Sequence, residues 1–424
     1  MSEDFLHFIW QYQLLNHSEL KTVTGEVVKV LHQGTHNKNS GPDFSLAKIN
    51  ISNTTWVGNI EIHVRTSDWF KHHHEKDPKY DNIILHVVFE NDVVDDVSNK
   101  MNFPLVELKN IISPQLLPKY KSILLHKGKI ACEKMIGDID IFRFKTGLNR
   151  LAFERLATKS EKVIEQLKYN NDSWEETMYQ LVARSFGLKV NADAFEKLAT
   201  SIPLKIIGKH KNNLLQIEAL LFGQAGFLNE NINDEYGVAL QKEYKFLAAK
   251  YSLKPMQQHE WHFLRLRPAA FPTIRIALFA MLLHNSVHLF SKTKEQINYQ
   301  SFQKLFSTKT SAYWETHYRF DTISEKRNKT LGKDAVLLIV LNSIIPVLFA
   351  YGLFTDNENI REQVLQVLET LPPEKNNIIK EWQELKYAAE NALESQALIQ
   401  LKNEYCSKKQ CLNCHVGTYL LKRK

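Results

Sequence analysis

The amino-acid sequence predicts an α+β protein, in which a mixed α/β domain, residues 1–136, precedes a mainly helical domain, residues 137–424. Between about residues 22 and 106, short runs rich in Val, Ile, Thr and Trp alternate with turn residues, which is the pattern of strands. After about residue 137 the apolar residues recur at helical spacing. Three of the four cysteines lie close together near the C-terminus, which predicts that the helical domain ends in a metal-binding cysteine knuckle.

Two segments of the N-terminal domain carry the clearest strand pattern. Residues 56–65 alternate, so that Ile60 and Ile62 lie on one face and Glu61 and His63 on the other. Residues 83–89 are apolar on both faces, as in a central strand, and His86 is their only polar member. Glu61 and His63 are therefore expected to project together.

The helical domain is defined by periodic apolar segments and by prolines that interrupt them. Residues 335–354 are apolar over about the length of a bilayer span, but Asn342, Ser343 and Pro346 interrupt them, which favours a buried central helix. The predicted helices lie around residues 212–226, 236–251, 272–290, 333–352, 358–370 and 376–405.

Composition and charge limit the function classes. The 54 Lys and Arg residues against 47 Asp and Glu give a net charge of +7, which permits contact with DNA or RNA without requiring it. The N-terminus lacks the basic and small-residue features of a secretory signal, and four cysteines in this length do not form a disulfide framework. We therefore expect a cytoplasmic protein that does not bind a membrane.

A carboxylate and histidine pattern follows the first turn of the N-terminal domain: Gly41-Pro42-Asp43-Phe44, a predicted hairpin, then Glu61-Ile62-His63. It resembles the PD-(D/E)XK restriction-endonuclease-like nucleases, in which an Asp at a strand start and an acid two residues before a lysine share Mg²⁺ beside an activated water. The resemblance implies a restriction-endonuclease-like domain in which Asp43, Glu61 and His63 are catalytic and the carboxylates bind Mg²⁺ or Mn²⁺. His63 occupies the lysine position and is not a permanent cation at neutral pH.

Further histidines surround this pattern in the sequence. His86 is either a core histidine with a hydrogen-bond partner or a metal ligand beside His63, and we place it with Asp43, Glu61 and His63 in the predicted ligand set. The run of three histidines at residues 72–74 is either an exposed turn or part of the site. In the second case His63, His86 and members of residues 72–77 form a hydrolase site for Zn²⁺ or Mn²⁺.

The cysteine knuckle consists of Cys406, Cys411 and Cys414, whose spacing lets a turn wrap Zn²⁺ or a corner of an iron–sulfur cluster. The fourth ligand is either His415 or the distant Cys132; free structural thiols are the alternative to a metal site. One early and three late cysteines resemble in outline the iron–sulfur sites of helicase-associated PD-(D/E)XK nucleases.

Arginines and aromatic residues are mixed in residues 261–275. Arg265, Arg267 and Arg275 are predicted to bind substrate phosphates, and the alternative is a packed helix edge.

The most distinctive motifs of the chain are Ser40-Gly41-Pro42-Asp43-Phe44, residues 58–63, Asp68-Trp69, residues 80–82 with 85–88, Arg267-Pro268 with Pro272 and Arg275, and the terminal cysteines. Taken together, these motifs make the whole chain resemble a bacterial family of unknown function, and this resemblance implies a bacterial cytoplasmic protein. The leading functional expectation is a metal-dependent phosphodiesterase acting on nucleic acid. The alternatives are a catalytically inactive nucleic-acid-binding or scaffold protein of the same fold, or the histidine and carboxylate hydrolase.

Overall fold

A computed structural model describes residues 1–93, 101–229 and 232–423 of the chain. These residues form two compact units. The first unit comprises Met1–Gly147, Asn377–Ala388 and Leu398–Lys424, and the second comprises Leu148–Asn376 and Ala389–Ala397. The first unit contains the sheet and the second is mostly helical, so the α+β class predicted from the sequence is confirmed.

The first unit is built on a six-stranded sheet. Its strands are β1 (Val28–His32), β2 (Thr35–His36), β3 (Phe44–Ile51), β4 (Thr54–Arg65), β5 (Ile83–Glu90) and β6 (Leu105–Glu107). Their order is β1-β3-β4-β5-β6, and β2 also pairs with β3. The pairs β1–β3, β2–β3 and β3–β4 are antiparallel, whereas β4–β5 and β5–β6 are parallel. Both of the clearest predicted strands are present, as parts of β4 and β5.

The central strands β4 and β5 are buried on both faces where they pair. Residues 60–63 of β4 and 83–88 of β5 are all buried, because helix α1 (Glu3–Gln11) covers part of the sheet. The strands approach closely at Gly58, where a Cβ atom would lie 2.5 Å from Ile84 Cγ2. A glycine is required there, because a side chain would push β4 away from the start of β5.

The C-terminal segment contributes to the core of the sheet unit. Cys411 and Leu421 are buried in the same apolar cluster as Phe5 of α1 and Val87 of β5. The segment that carries the predicted knuckle therefore belongs to the first unit. The other helices of this unit are α2 (Asp68–Lys71), Leu116–Leu125, Ile141–Lys145, Asn377–Glu384 and His415–Lys422, and Leu401–Cys406 is π-helical.

The second unit consists of helices and one small hairpin, β7 (His317–Arg319) with β8 (Thr322–Ile323). The predicted helix over residues 272–290 is interrupted at Ser286, which is extended. The predicted helix over 376–405 is likewise divided, with Lys386 in the left-handed region. The helices are Leu148–Tyr169, Trp174–Phe186, Ala192–Ser201, Leu204–His210, Leu214–Gln224, Glu235–Tyr251, Pro272–Asn285, Leu289–Glu295, Tyr299–Phe306, Lys333–Ile339, Ile345–Phe354 and Glu358–Thr370; Ala392–Gln400 begins in this unit.

The long apolar segment forms a continuous helix, Lys333–Phe354, with a π-helical turn at Val340–Ile344. In the described part of the chain this helix is long and apolar enough to cross a membrane, and the pair Pro272–Asn285 and Leu289–Glu295 also qualifies if its 67° bend is ignored. The apolar window of Lys333–Phe354 is 78% buried inside the protein. A helix that is buried to this extent packs inside the protein core, as the sequence predicts.

Candidate metal centre

The turn before β3 places Asp43 beside Glu61 of β4. Gly41 has a φ of +106°, a conformation that other residues rarely adopt, and the Asn37 amide donates to the Pro42 carbonyl over 3.1 Å. The Asp43 N–H then donates to Glu61 Oε2 over 3.0 Å, and Asp43 Oδ2 accepts the Ile62 N–H over 2.9 Å. The two predicted acidic residues are therefore held together by reciprocal bonds between backbone and carboxylate.

Glu61 is 4% exposed and presents its second oxygen to two histidines. Its Oε1 atom lies 3.7 Å from His63 Nε2 and 3.4 Å from His74 Nε2. Burial and the neighbouring charge of Asp43 raise the pKa of Glu61 to about 9, although the N–H of Asp43 opposes this shift. A nearby cation would remove much of the cost of ionising this buried carboxyl group.

Three histidines converge next to Glu61. His63 Nε2 lies 3.2 Å from His72 Nδ1, and the candidate ligand atoms of His63, His72 and His74 all lie within 4.8 Å of one another. His73 has a left-handed backbone with φ of +59° and a side chain that is 70% exposed. The two histidines that flank it thus join the site, while His73 itself faces solvent.

His86 lies directly behind His63. It is opposite Glu61 in the parallel pairing of β4 and β5, and its Nε2 shares a 2.9 Å hydrogen bond with His63 Nδ1. Burial lowers the pKa of His63 and of His86 to about 3, and the neighbouring imidazoles add to the effect. Both rings are therefore neutral at physiological pH, which is the form that binds metal ions.

Two aromatic side chains and a further histidine complete the surroundings of the three histidines. Tyr80 stacks on His74 with ring centroids 4.0 Å apart, and Trp69 meets the His63 ring edge-on. His7 of α1 places Nε2 3.1 Å from Asp43 Oδ2. Burial opposes a charge on His7, but the hydrogen bond and charge of Asp43 outweigh it and raise the pKa of His7. The sequence of α1 indicates only an amphipathic helix, so it does not predict the contact between His7 and Asp43.

The spacing of the nitrogen and oxygen atoms suits a single transition-metal ion. Bonds of 2.0–2.1 Å in a tetrahedral zinc site place neighbouring ligand atoms about 3.3 Å apart. The distances from His63 to His72 and from Glu61 to His74 are 3.2 and 3.4 Å, and that from Glu61 to His63 is 3.7 Å. The site thus offers three imidazoles with a carboxylate beside two of them.

The predicted substrate-binding arginines lie in the second unit. Arg265 and Arg267 are exposed, and Arg265 has a left-handed backbone with φ of +63°. Arg275 lies in helix Pro272–Asn285, where burial lowers its pKa; its buried Nε has no hydrogen-bond partner among the described residues. Two of the three arginines are therefore accessible to a ligand.

A family model described as "Protein of unknown function (DUF2851)" matches residues 3–377, nearly the whole chain. The chain belongs to this family. No curated protein and no solved structure matches it significantly. The part of this DUF2851 protein that matches the family includes the histidine cluster, Asp43, Glu61 and Cys132.

Proposed function

We propose that this DUF2851 protein is a metal-dependent phosphodiesterase that acts on nucleic acid, with the metal ion held by His63, His72 and His74. The observation that carries the proposal is the convergence of three imidazole nitrogens within 4.8 Å, beside the buried carboxylate of Glu61. Three protein ligands with room for a water are the usual arrangement of catalytic zinc. Because imidazole ligands suit Zn²⁺ whereas Mg²⁺ prefers oxygen, the proposed ion is Zn²⁺ rather than the Mg²⁺ or Mn²⁺ expected from the sequence resemblance.

The order of the strands supports the choice of a phosphodiester substrate. Antiparallel β3 and β4, with β5 added in parallel, follow the strand arrangement of the PD-(D/E)XK core that the sequence resembles, and we propose this fold for the sheet unit. Asp43 immediately precedes β3 and Glu61 lies on β4, as that resemblance requires. His63 departs from it, because its Nε2 contacts His72 and its Nδ1 contacts His86. It is therefore assigned as a ligand rather than as a substitute for the lysine.

Each side chain then has a defined task. A bound ion of this kind lowers the pKa of its water to about 7 and polarises a phosphoryl oxygen. Glu61 Oε1 adjoins two ligand histidines, so it can accept a proton from a water held there. Asp43 fixes the other oxygen of Glu61 through its N–H and is itself held by Ile62.

The exposed arginines and the low cysteine content complete the proposal. Arg265 and Arg267 can contact phosphates through exposed guanidinium groups, and the net charge of +7 favours a polyanionic ligand. The four cysteines are buried and too few for a disulfide framework in 424 residues, which suits a reducing compartment such as the bacterial cytoplasm.

Metal analysis and hydrolysis assays test the proposal with a matched pair of variants. His74→Ala should lower the affinity for Zn²⁺ and the cleavage of single-stranded, double-stranded or branched nucleic acid at least tenfold, because it removes one of three ligands. His73→Ala changes the adjacent exposed histidine and should alter neither.

Equal metal binding by the two variants would refute the metal centre. Metal binding without hydrolysis of any substrate would instead support a nucleic-acid-binding or scaffold protein of the same fold.

A further inference from the structure

A cavity of about 310 Å³ lies in the second unit, between the loop that follows helix Glu235–Tyr251 and the hairpin of β7 and β8. This volume is at the lower end of the range of roughly 300–1,000 Å³ that small-molecule sites occupy. The cavity therefore has room for one small ring system with its substituents. Aromatic residues line it on several sides, and they are Phe227, Trp261, Phe263 and Phe320.

Arg319 adds a positive charge to this aromatic cavity. Its guanidinium carbon lies 4.7 Å from the ring centre of Phe263 and 5.4 Å from that of Phe271, and the residue is exposed. A guanidinium group that stacks on a ring keeps its N–H groups at the edge of its plane, where they can bind a phosphate in a bidentate manner. The cavity thus combines flat apolar surfaces with a cation that a ligand can reach.

The hairpin that carries Arg319 is anchored by Asp321, which also lines the cavity. Asp321 Oδ1 accepts the N–H of Asn233 over 3.0 Å and that of Asp234 over 2.9 Å. In return, the Asp321 N–H donates to Asp234 Oδ2 over 3.0 Å. The carboxylate of Asp321 therefore holds the turn between β7 and β8 in place.

The loop that carries Trp261 and Phe263 is anchored as firmly. The side chain of Asn191 donates to the His262 carbonyl over 2.9 Å and accepts the His262 N–H over 2.8 Å. Trp261 Nε1 donates to the Ala225 carbonyl over 2.8 Å. The aromatic residues of this loop are thus positioned by hydrogen bonds within the second unit, and less conformational entropy is lost when a ligand binds to them.

Directly after Phe263 the same loop exposes apolar and cationic residues. Leu264 is 82% exposed, and Arg265 and Arg267 are also exposed. Arg265 has a left-handed backbone with φ of +63°, which is unfavourable for a residue other than glycine. Backbone strain of this kind is concentrated at binding and active sites. Two further cations therefore follow the aromatic cavity along the chain.

These features favour a ligand with a planar ring and an adjacent negative charge. Unpaired nucleobases bind proteins by stacking on aromatic rings and on guanidinium planes, while their phosphates bind cations. Arg319 disfavours the cationic ligands that aromatic cages otherwise bind, because like charges repel. A base inside a duplex is already stacked and paired, and to extract it costs free energy.

We propose that this cavity binds one unstacked base of a single-stranded nucleic acid and that Arg319 binds an adjoining phosphate. The inference rests on the proposed function in one respect, because it takes nucleic acid as the ligand. It depends neither on hydrolysis nor on the metal ion. It specifies that the nucleic acid has a single-stranded segment.

Photo-crosslinking tests the proposal on the unmodified protein. The probe is a single-stranded oligonucleotide that contains 5-iodouracil, a base that cross-links to aromatic rings on which it stacks. Mass spectrometry should place the cross-link on Trp261, Phe263 or Phe320. Cross-links that are confined to residues outside the cavity would overturn the proposal.

A matched pair of aromatic variants measures the contribution of stacking. The probe is a dye-labelled, single-stranded phosphorothioate oligonucleotide, which resists hydrolysis, and fluorescence anisotropy gives its affinity. Phe263→Leu should weaken binding about fivefold to 100-fold, the effect of losing one stacked base, and should leave binding of a duplex unchanged. Phe246→Leu changes a 61% exposed phenylalanine on helix Glu235–Tyr251 and should have no effect. Equal affinities of the two variants would overturn the proposal.

A second pair of variants tests the phosphate contact. Arg319→Gln should reduce the slope of log affinity against log salt for the same oligonucleotide by about 1. Arg327→Gln is the control, because Arg327 is exposed and pairs with Glu325 over 2.9 Å. Uridine monophosphate should bind at least tenfold more weakly than the oligonucleotide. Equal binding of the two ligands would make a free nucleotide the occupant and overturn the single-stranded ligand.

The outcomes also separate this cavity from the proposed enzymatic function. Binding that depends on Phe263 without hydrolysis of any substrate would support the cavity and contradict the phosphodiesterase. Hydrolysis by a protein whose affinity is the same with Phe263→Leu and Phe246→Leu would support the enzyme and overturn the cavity. Circular dichroism shows whether each variant is folded, and the cross-linking result on unmodified protein decides the proposal if Phe263→Leu is not.

Discussion

Replacement of His86 by leucine is the most direct test of the geometry of the metal centre. Leucine has a size similar to that of histidine and suits a fully buried position between apolar strand residues. The change removes the 2.9 Å hydrogen bond to Nδ1 of His63 and leaves His63 Nε2 in place. If His86 orients His63 from behind, the variant should still bind metal, but more weakly.

The size of the effect follows from the position of His86. Partners that orient a metal-bound histidine typically contribute 10–100-fold to metal affinity, which corresponds to about 1.4–2.8 kcal/mol. Loss of a direct ligand is expected to lower the affinity for Zn²⁺ further, because only two of the three imidazole ligands then remain. His86→Leu should therefore lie between wild-type protein and His63→Ala in its affinity for Zn²⁺.

Competition titration with a zinc-sensitive dye measures these affinities, and circular dichroism shows whether the variants remain folded. His73→Ala provides the baseline, since its side chain faces solvent on the same loop. An affinity equal to that of wild type would refute an orienting role for His86. A loss as complete as that of His63→Ala would make His86 a direct ligand, as the sequence pattern predicts.

Three further predictions concern the neighbouring carboxylate, the sheet and the exposed arginines. Glu61→Gln should abolish hydrolysis and stabilise the metal-free protein at neutral pH, because burial raises the pKa of Glu61 to about 9, so this carboxyl group must take up a proton on folding whereas glutamine is neutral in both states. A lower urea midpoint for the variant would contradict this. Gly58→Ala should lower the free energy of unfolding in urea by about 1–3 kcal/mol, because the added Cβ would lie 2.5 Å from Ile84 Cγ2. An unchanged urea midpoint would show that β4 and β5 can separate without cost. The pair Arg265→Ala and Arg267→Ala should reduce the slope of log affinity against log salt for DNA by about 2, and an unchanged slope would place phosphate binding elsewhere.

The part of the metal centre that depends on strand alternation can be predicted from the sequence. Glu61 and His63 share a strand face because side chains alternate along β4, and both lie in the site. The participation of His72 and His74 follows instead from the left-handed backbone of His73, which no periodicity indicates. The sequence therefore leaves open whether the histidine run is an exposed turn or part of the site, and the structure brings two of its three members to His63.

The place of the cysteine segment could not be predicted for a different physical reason. Helical periodicity continues almost to the C-terminus, so the segment is predicted as the end of the helical domain. The segment instead packs where its apolar side chains are buried. Cys411 and Leu421 lie in an apolar core that also contains Phe5, from the opposite end of the chain. Apolar side chains specify that they will be buried but not against which partner, because the hydrophobic effect is non-directional.

The histidine cluster and the cysteine segment differ in what their positions require from the rest of the fold. The three histidines all come from β4 and the segment that follows it, so their arrangement depends on local backbone conformation and on the pairing of β4 with β5. The cysteines come from both ends of the chain, and their arrangement requires the C-terminal segment to be packed in the sheet unit. A short loop has little closure entropy to overcome, whereas a connection that contains a whole unit has much more. The position of the cysteines thus depends on the connection that has the larger entropy cost of closure.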